Sequence, residues 1–364
     1  MPRSLMYLAI ALTGLFASTT VQAGGTTHDV RVNGDIQAAI DGASNGDTIQ
    51  LAAGQYDLTT TIDPGGKQVT ILGTVDANGK PTSILDGGLT PDGPFRYAIL
   101  GCDSGETSET VFQNLVIQNG YSYGGGGIVL ESSSPTLINC TVTGNSSAFG
   151  GGIGLESSSP TLINCIFTGN SSAIGGGIYS IGSNPTLIDC TFLHNSSIAG
   201  GGMFLEGGSP TLTRCLFSAN SSGLNDDDAG FDAGHGGAVT IGGATPTLTE
   251  CTFTNNSAAR SGGGMYIVNS GSPILKDCRF CGNHDQTGFN SIGGEAIDGS
   301  SSGNVMLEEG CVLGDINFDG VANLADRTPF NSLIGVCDAD INGDGEVSGA
   351  DLAFILSWWG VCSP

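Results

Sequence analysis

Apolar residues in the middle of the chain recur in short alternating stretches, without the period of an amphipathic helix. In one such unit, the positions expected to point inward are Ile128, Leu130, Leu137, Cys140 and Val142. The change of parity between Leu137 and Cys140 requires a bend, and Asn139 tolerates the left-handed conformation that a tight bend uses. The pattern therefore predicts three short strands per unit, separated by turns of Ser, Asn and Gly.

The unit is repeated every 25 residues. The repeat is marked by two series, Pro135, Pro160, Pro185, Pro210 and Cys140, Cys165, Cys190, Cys215. It continues at Pro246/Cys251 and Pro273/Cys278, after insertions of 11 and then two residues. Later copies place phenylalanine at the last inward position, as Phe167, Phe192, Phe217, Phe253 and Phe280. Stacking these units about 4.8 Å apart predicts an all-β parallel β-helix, with one unit per coil.

The repeat resembles right-handed β-helix proteins of the pectin-lyase-like superfamily and the repeats of polymorphic outer membrane proteins. The resemblance rests on the GGGI and FxxN motifs of each copy, such as Phe167 to Asn170. The segment Asp35 to Leu58 is similar to the amphipathic helix and first strands that cap such folds. We therefore expect a right-handed parallel β-helix over residues 24–311. That fold carries lyases, hydrolases, adhesins and inert scaffolds, so it does not by itself define a function.

Two acidic loops follow a change of composition near residue 312. Calcium prefers six to eight oxygen ligands, and each loop alternates oxygen-bearing residues around a glycine that permits a sharp turn. The predicted ligands are Asp315, Asn317, Asp319, Val321 through its carbonyl, Asn323 and Asp326, and then Asp340, Asn342, Asp344, Glu346, Ser348 and Asp351. The sequence therefore predicts two bound Ca²⁺ ions.

Residues 312–364 resemble a dockerin, with paired EF-hand-type calcium loops and a small α-helical module. Aspartate stands at the twelfth position of each loop, as Asp326 and Asp351, and no helix precedes either loop. The resemblance implies a cohesin-like scaffold partner and a role in polysaccharide catabolism. Positions ten and eleven depart from the hydroxyl residues of many dockerins, since they are Leu324/Ala325 and Gly349/Ala350. Cys337 and Cys362 bracket the second loop and its helix and are the expected disulfide pair.

The N-terminal segment has the pattern of a secretory signal peptide. Arg3 precedes an apolar run from Leu5 to Phe16, and the small-residue site Val21-Gln22-Ala23 predicts cleavage after residue 23. We expect a secreted or cell-surface product with no membrane insertion after cleavage, because the run is too short to span a bilayer. The formal charge of −25 disfavours nucleic acid as a partner and favours cations.

The cysteines allow two interpretations in an exported protein. Six of the 11 occupy one inward column, which indicates a buried ladder of thiols acting as small apolar side chains. The predicted spacing of the coils also permits disulfides between adjacent coils. The sequence favours the thiol ladder.

The outward positions of the first strand are the candidate functional face. Glu131, Glu156 and Glu206 are weak catalytic candidates, and Tyr179, Phe204 and Tyr266 are candidate substrate-binding residues. Gly154 and Thr240 fall in the same outward row. Aromatic rings beside carboxylates suit the apolar faces and hydroxyl edges of sugars. The insertion Gly223 to Ala233 and the nearby His235 are further candidates, for cation binding and acid-base chemistry respectively.

Two functions of different class are consistent with these features. One is a calcium-binding β-helix platform that binds a polysaccharide or a cell-surface glycan, or that mediates surface adhesion. The other is a dockerin-tethered polysaccharide-degrading enzyme. For the enzyme, a glycoside hydrolase is favoured over a lyase, because no basic residue lies on the candidate face to act as a lyase base.

Overall fold

The computed structural model of the chain describes residues 25–88, 97–223 and 233–307. The predicted signal segment, both calcium loops with Cys337 and Cys362, and most of the acidic insertion lie outside the described residues. Statements about the structure below refer to the described residues.

The described chain forms a parallel β-solenoid in which each full coil crosses four sheets, named here sheets 1 to 4 in chain order. Sheet 1 contains Leu100–Cys102, Ile128–Glu131, Ile153–Glu156, Ile178–Ile181, Met203–Glu206, Val239–Gly242, Met265–Val268 and Ile292–Gly294. Sheet 2 contains Thr27–Val30, Thr48–Leu51, Thr70–Leu72, Val111–Gln113, Thr136–Ile138, Thr161–Ile163, Thr186–Ile188, Thr211–Thr213, Thr247–Thr249 and Ile274–Lys276.

Sheets 3 and 4 complete each coil. Sheet 3 contains Gly54–Asp57, Ser83–Asp86, Leu115–Gln118, Thr141–Thr143, Ile166–Thr168, Thr191–Leu193, Leu216–Ser218, Thr252–Thr254, Arg279–Cys281 and Val305–Leu307. Sheet 4 contains Tyr121–Ser122, Ser146–Phe149, Ser171–Ile174, Ser196–Ser197, Ser221–Ser222, Ser257–Ala258, His284–Asp285 and Gly288–Phe289. Gly288–Phe289 pairs antiparallel, and the other neighbouring strands pair in parallel.

The predicted first three strands of each coil are present, but sheet 4 was not predicted. Its strands are short and rich in serine, as in Ser146–Phe149 and Ser171–Ile174. This composition lacks the apolar alternation by which strands are detected in a sequence. The strands form because Ser146 and Ser171 occupy equivalent positions in stacked coils, so their backbones pair in the same register as the flanking sheets.

The first coil is closed by the helix Ile36–Gly42, as the resemblance of this segment predicted. The Asp35 side chain caps its N-terminus by accepting a hydrogen bond from the Ala38 backbone N–H, and Ile36 and Ile40 are buried against the first coils. Beside the helix, the Asp47 carboxylate accepts hydrogen bonds from His28 and from the backbone N–H groups of Ser44 and Thr26. These bonds, chiefly the one from His28, lower the pKa of Asp47 to about 2.

The interior consists of residue columns that run along the solenoid axis. Phenylalanine rings from successive sheet 3 strands stack with centroids 4.5 to 4.9 Å apart and planes within 9° of parallel. The members of this inner phenylalanine column are Phe167, Phe192, Phe217, Phe253 and Phe280. All five are fully buried, so the inward positions predicted from the repeat are confirmed.

The six cysteines of the repeat form a second buried column and are free thiols. Their S–H groups lie close to backbone carbonyls, as where Cys165 donates to Ile163 at 3.5 Å. Burial raises the pKa of the Cys140 and Cys190 thiols, which favours the protonated, unreactive form. The structure therefore agrees with the thiol ladder and not with disulfides between adjacent coils.

A third column consists of fully buried asparagines at the turn between sheets 3 and 4. The Asn195 side chain donates to the Phe167 carbonyl at 2.9 Å and accepts from the Asn170 backbone N–H at 3.1 Å. The same pattern recurs along the column formed by Asn145, Asn170, Asn195, Asn220, Asn256 and Asn283. Each amide thus satisfies backbone groups that the turn would otherwise bury unpaired.

The bend between sheets 2 and 3 has the predicted left-handed backbone. Asn139, Asn164 and Asp189 have φ values of 50°, 52° and 54°. Arg214, one coil beyond Asp189, donates to its carboxylate through Nε at 2.7 Å and Nη2 at 2.8 Å. Arg214 and Asp189 thus form an ion pair between adjacent coils. Both side chains are about half exposed, so the pair adds little stability.

Candidate functional site

The outward positions of sheet 1 form the candidate site that the sequence indicated. Glu131 lies directly beside Glu156, and Tyr179 directly beside Phe204, in the parallel register of neighbouring strands. The three candidate carboxylates Glu131, Glu156 and Glu206 are exposed, while the candidate rings Tyr179, Phe204 and Tyr266 are half-buried. The repeat therefore brings the predicted residues onto one face.

Two further aromatic residues extend this face. Tyr123 and Phe149 have ring centroids 5.3 Å apart in an edge contact, and Phe149 lies 5.2 Å from Tyr179. Tyr179 in turn stacks on Phe204 at 5.8 Å, with an angle of 30° between the rings. We call these four residues the ring band. The band crosses the coils in order, and its end member Tyr123 is 63% exposed.

Tyr123 and Phe149 were missed because they lie outside the strands on which the prediction was based. Tyr123 is in the turn between sheets 4 and 1, and Phe149 is the last residue of the unpredicted sheet 4 strand Ser146–Phe149. The Phe149 backbone N–H donates a hydrogen bond to the Tyr123 carbonyl of the preceding coil at 3.0 Å. The position equivalent to Phe149 in the next two coils is occupied by Ile174 and Ala199. Comparing the residue before each GGG motif across copies would have drawn attention to Phe149 and Ile174, the two large apolar side chains of this column.

Glycine at position 154 makes room for the turn that carries Tyr123. A Cβ added to Gly154 would overlap the Gly124 carbonyl, so the Tyr123–Gly124 segment lies directly against the strand. Gly154 is consequently buried, although its place in the outward row predicted solvent exposure. That expectation was wrong because the turn of the preceding coil covers the strand at this point.

Thr240 is also buried, contrary to its expected exposure. Its hydroxyl donates to the His235 carbonyl at 3.0 Å. The His235 ring stacks on Tyr266, with centroids 4.0 Å apart. Tyr266 therefore contacts the imidazole of His235 and belongs to a separate aromatic pair, with Thr240 between it and Phe204 in the strand register.

A carboxylate is hydrogen-bonded to the ring band at Tyr179. The Tyr179 hydroxyl donates to Glu206 Oε2 at 3.2 Å. Burial, the negative charge of Glu206 and its hydrogen bond, and the more distant Glu156 raise the pKa of Tyr179 to about 12. The phenol is therefore neutral at physiological pH, and the centre of the face combines an apolar ring with an anionic acceptor.

Within the described residues, no group of three or more His, Cys, Asp or Glu side chains is placed to hold a metal ion. The twelve predicted calcium ligands and the Asp residues of the insertion lie outside those residues. No helix among the described residues is long and apolar enough to cross a membrane.

Comparison with known proteins agrees with the solenoid. A family model described as a right-handed β-helix region matches residues 99–240, and a Chlamydia polymorphic membrane protein repeat model matches residues 250–266. No curated protein matches the sequence.

Solved structures with a similar course of the chain include three carbohydrate-related enzymes. Pectate lyase Pel9A is 15% identical, with 83% of this chain and 87% of that chain covered and a TM-score of 0.49. The pectin methylesterase from Aspergillus niger is 13% identical, with coverages of 78% and 89% and a TM-score of 0.41. A mannuronic acid specific family 6 lyase from human gut microbiota is 12% identical, with coverages of 92% and 99% and a TM-score of 0.34. At these values the similarity concerns the fold alone.

Proposed function

We propose that the protein is an extracellular glycan-binding platform in which the ring band on sheet 1 is the binding site. The observation that carries this proposal is the continuous contact of Tyr123, Phe149, Tyr179 and Phe204 on a face that also bears carboxylates. The exposed ring of Tyr123 offers the largest apolar contact area, and Glu156 and Glu206 offer hydrogen-bond acceptors for sugar hydroxyls.

The rigidity of the solenoid supports binding of an extended ligand. The sheet 1 strands are held on both sides by parallel pairing, so the rings stand at fixed intervals along the axis. A preformed site loses little side-chain entropy on binding, because neighbouring rings already restrict one another. An elongated polysaccharide lying along the axis would contact several rings at once.

This proposal is tested by measuring binding to a panel of soluble polysaccharides with affinity electrophoresis and calorimetry. Replacing Tyr123 with Ala removes the most exposed ring and should weaken binding by about 1 to 2 kcal/mol. This loss combines the apolar area that the ring would bury against the sugar and the aromatic contact itself. Tyr179→Ala and Phe204→Ala should weaken it as well. Val75 is the matched control, since among the described residues it is the other exposed large apolar side chain, at 42%, and it lies away from the band.

A control variant and a double variant decide whether the ring band is the binding site. Val75→Ala should bind as the parent does. If the double variant Tyr123→Ala/Tyr179→Ala retains parental affinity for every polysaccharide that the parent binds, the ring band is not the binding site.

The second candidate function is hydrolysis of a glycan on the same face. It is favoured by the register of Glu131 and Glu156, which stand directly beside each other on neighbouring strands. Because neighbouring strands lie about 4.8 Å apart, this register permits the carboxyl separation of about 5 to 5.5 Å that retaining glycosidases use. Release of reducing ends from the same panel tests it. Hydrolysis predicts that Glu131→Gln or Glu156→Gln abolishes turnover and preserves binding, whereas a binding platform shows no turnover in the parent.

The C-terminal segment supplies the proposed attachment and metal dependence. We propose that residues 312–364 bind two Ca²⁺ ions through the twelve predicted ligands and act as a dockerin-like tether to a cohesin-like scaffold. Calorimetric titration of the full mature chain with CaCl₂ should give two sites. Asp319→Ala and Asp344→Ala should each remove one site, and no calcium uptake by the parent at millimolar concentration would refute this assignment.

A further inference from the structure

We propose that the ring band selects uncharged glycans and rejects polyuronates, an inference that rests on the proposed function of this face. The coils from Tyr121 to Gly223 carry the entire band and are described without a gap. The Asp, Glu, Lys, Arg and His side chains of this stretch are therefore the charged groups that the coils of the band contribute to the site.

Negative charge is concentrated beside the rings. The acidic residues of this stretch are Glu131, Glu156, Asp189 and Glu206, and three of these four lie on the outer face of sheet 1. Glu206 accepts the hydrogen bond of Tyr179, so one carboxylate is in direct contact with the band. A polyuronate bound along the axis would bring a carboxylate from each sugar close to this row.

No basic side chain in the same stretch can compensate for that charge. Its single Lys or Arg is Arg214, which lies at the bend between sheets 2 and 3. There Arg214 forms a two-bond ion pair with Asp189. His194 is exposed in the turn between sheets 3 and 4, also away from sheet 1.

Beyond this stretch, the nearest Lys or Arg along the chain are Arg96, which lies outside the described residues, and Arg260, in the turn before the strand Met265–Val268. That strand lies two strands beyond the one that carries Phe204. A uronate held on the ring band would consequently lose hydration without gaining an ion pair, which disfavours the complex. An uncharged sugar has no such cost, and its apolar face and hydroxyls match the rings and the carboxylate acceptors.

Calorimetry with hexasaccharides of equal length tests the selectivity. The uncharged probes are cellohexaose, xylohexaose and mannohexaose, and the charged probes are hexagalacturonic acid, hexamannuronic acid and a glucosamine hexamer. Each is titrated into the full mature chain, in buffer with EDTA and in buffer with millimolar CaCl₂, at low and moderate salt. We expect at least one uncharged probe to bind tenfold more tightly than both uronate probes, with little dependence on salt, and the cationic glucosamine hexamer to bind more tightly than the uronates at low salt.

The outcomes separate this inference from the proposed function. If a uronate binds more tightly than every uncharged probe or than the glucosamine hexamer, and Tyr123→Ala weakens it, the band binds glycans but the inference about charge is wrong. If no probe binds, or if Tyr123→Ala changes nothing, the proposed function itself is wrong and the inference falls with it.

A charge-reversal variant tests the cause of the selectivity. Glu131→Lys/Glu156→Lys replaces two exposed carboxylates with ammonium groups and should raise affinity for both uronate probes at least tenfold. The matched control Asp189→Lys changes charge at the bend and should leave uronate binding at the parental level. Unchanged uronate affinity in the sheet 1 variant would overturn the assignment of selectivity to this carboxylate row.

Discussion

The repeat builds two aromatic stacks in this protein, one inside the solenoid and one outside. The inner phenylalanine column has centroid spacings of 4.5 to 4.9 Å, planes within 9° of parallel, and the same residue in five successive coils. The ring band has spacings of 5.2 to 5.8 Å and angles of 30° to 72°, and it mixes tyrosine with phenylalanine. Its members come from a turn as well as from a strand.

This difference indicates that the inner column serves core packing and that the ring band serves a function. The interior is enclosed by four sheets, so the coils from Phe167 to Phe280 pack closely by placing a ring of the same shape in the same position. The outer face has no such constraint, and solvated positions there need not hold large apolar residues. A contiguous set of partly exposed rings on that face therefore needs an explanation other than folding, and ligand binding supplies one.

The largest effect on stability is expected in a matched pair of phenylalanine truncations. Phe217→Ala opens a cavity in the inner column and should lower the free energy of unfolding by about 3 to 5 kcal/mol. Phe204→Ala removes a half-buried ring on the outside and should cost about 1 kcal/mol. Guanidinium unfolding of both variants measures the difference. Equal losses would show that the ring band is part of the structural core.

A second pair compares buried and exposed asparagines. Asn195→Ala leaves the Phe167 carbonyl and the Asn170 N–H without their partner, at a cost of about 1 to 3 kcal/mol for each buried unsatisfied group. Asn164→Gly keeps a residue suited to φ 52° and removes only exposed amide contacts, so we expect a change within about 0.5 kcal/mol. Similar unfolding midpoints for the two variants would contradict the role of the inner column.

A third pair tests the glycine that seats the Tyr123 turn. A methyl group at Gly154 must displace the Gly124 backbone, so Gly154→Ala should cost about 1 to 3 kcal/mol and weaken glycan binding together with it. Gly42 ends the helix, and a Cβ there would meet nothing within 4 Å. Gly42→Ala should therefore be neutral or slightly stabilising in the same thermal unfolding assay, with unchanged binding.

The smallest expected effect is a change in the titration of Tyr179. Because the neutral phenol of Tyr179 is favoured in the folded chain, its contribution to stability is complete below pH 10 and is lost as pH rises through about 12. Difference absorbance of tyrosinate should show that the Tyr179→Phe variant lacks one late-titrating group. Glu206→Gln should move the pKa of Tyr179 down, since it removes a neighbouring negative charge. An unchanged titration in both variants would contradict the contact between Tyr179 and Glu206.

The interior was predictable from the sequence because it is enforced in every coil. The columns through Leu137, Cys140 and Phe167 repeat at 25 residues, and their parity requires the left-handed bend at Asn139. The sheet 1 candidates followed from simple alternation. Sheet 4 was not predicted, because its serine-rich strands, which follow the buried asparagines, have no apolar period.

The site was predicted in part for a related reason. Tyr179 and Phe204 lie on a strand, where side chains alternate between core and solvent. Tyr123 lies in a turn, and Phe149 ends a serine-rich strand that the sequence did not predict, so the direction of both side chains depends on the neighbouring coil. The burial of Gly154 and Thr240 likewise depends on contacts between residues of different coils or turns, which strand alternation does not encode.

Hydroxyl-radical footprinting with mass spectrometry tests the central claim most directly, because it reports where a glycan contacts the chain. The probe is the tightest binder among cellohexaose, xylohexaose and mannohexaose, added at saturation to the mature protein. The account predicts slower oxidation of Tyr123, Tyr179 and Phe204, with no change at Val75. Protection of other surfaces while Tyr123 oxidises at its unliganded rate would contradict it.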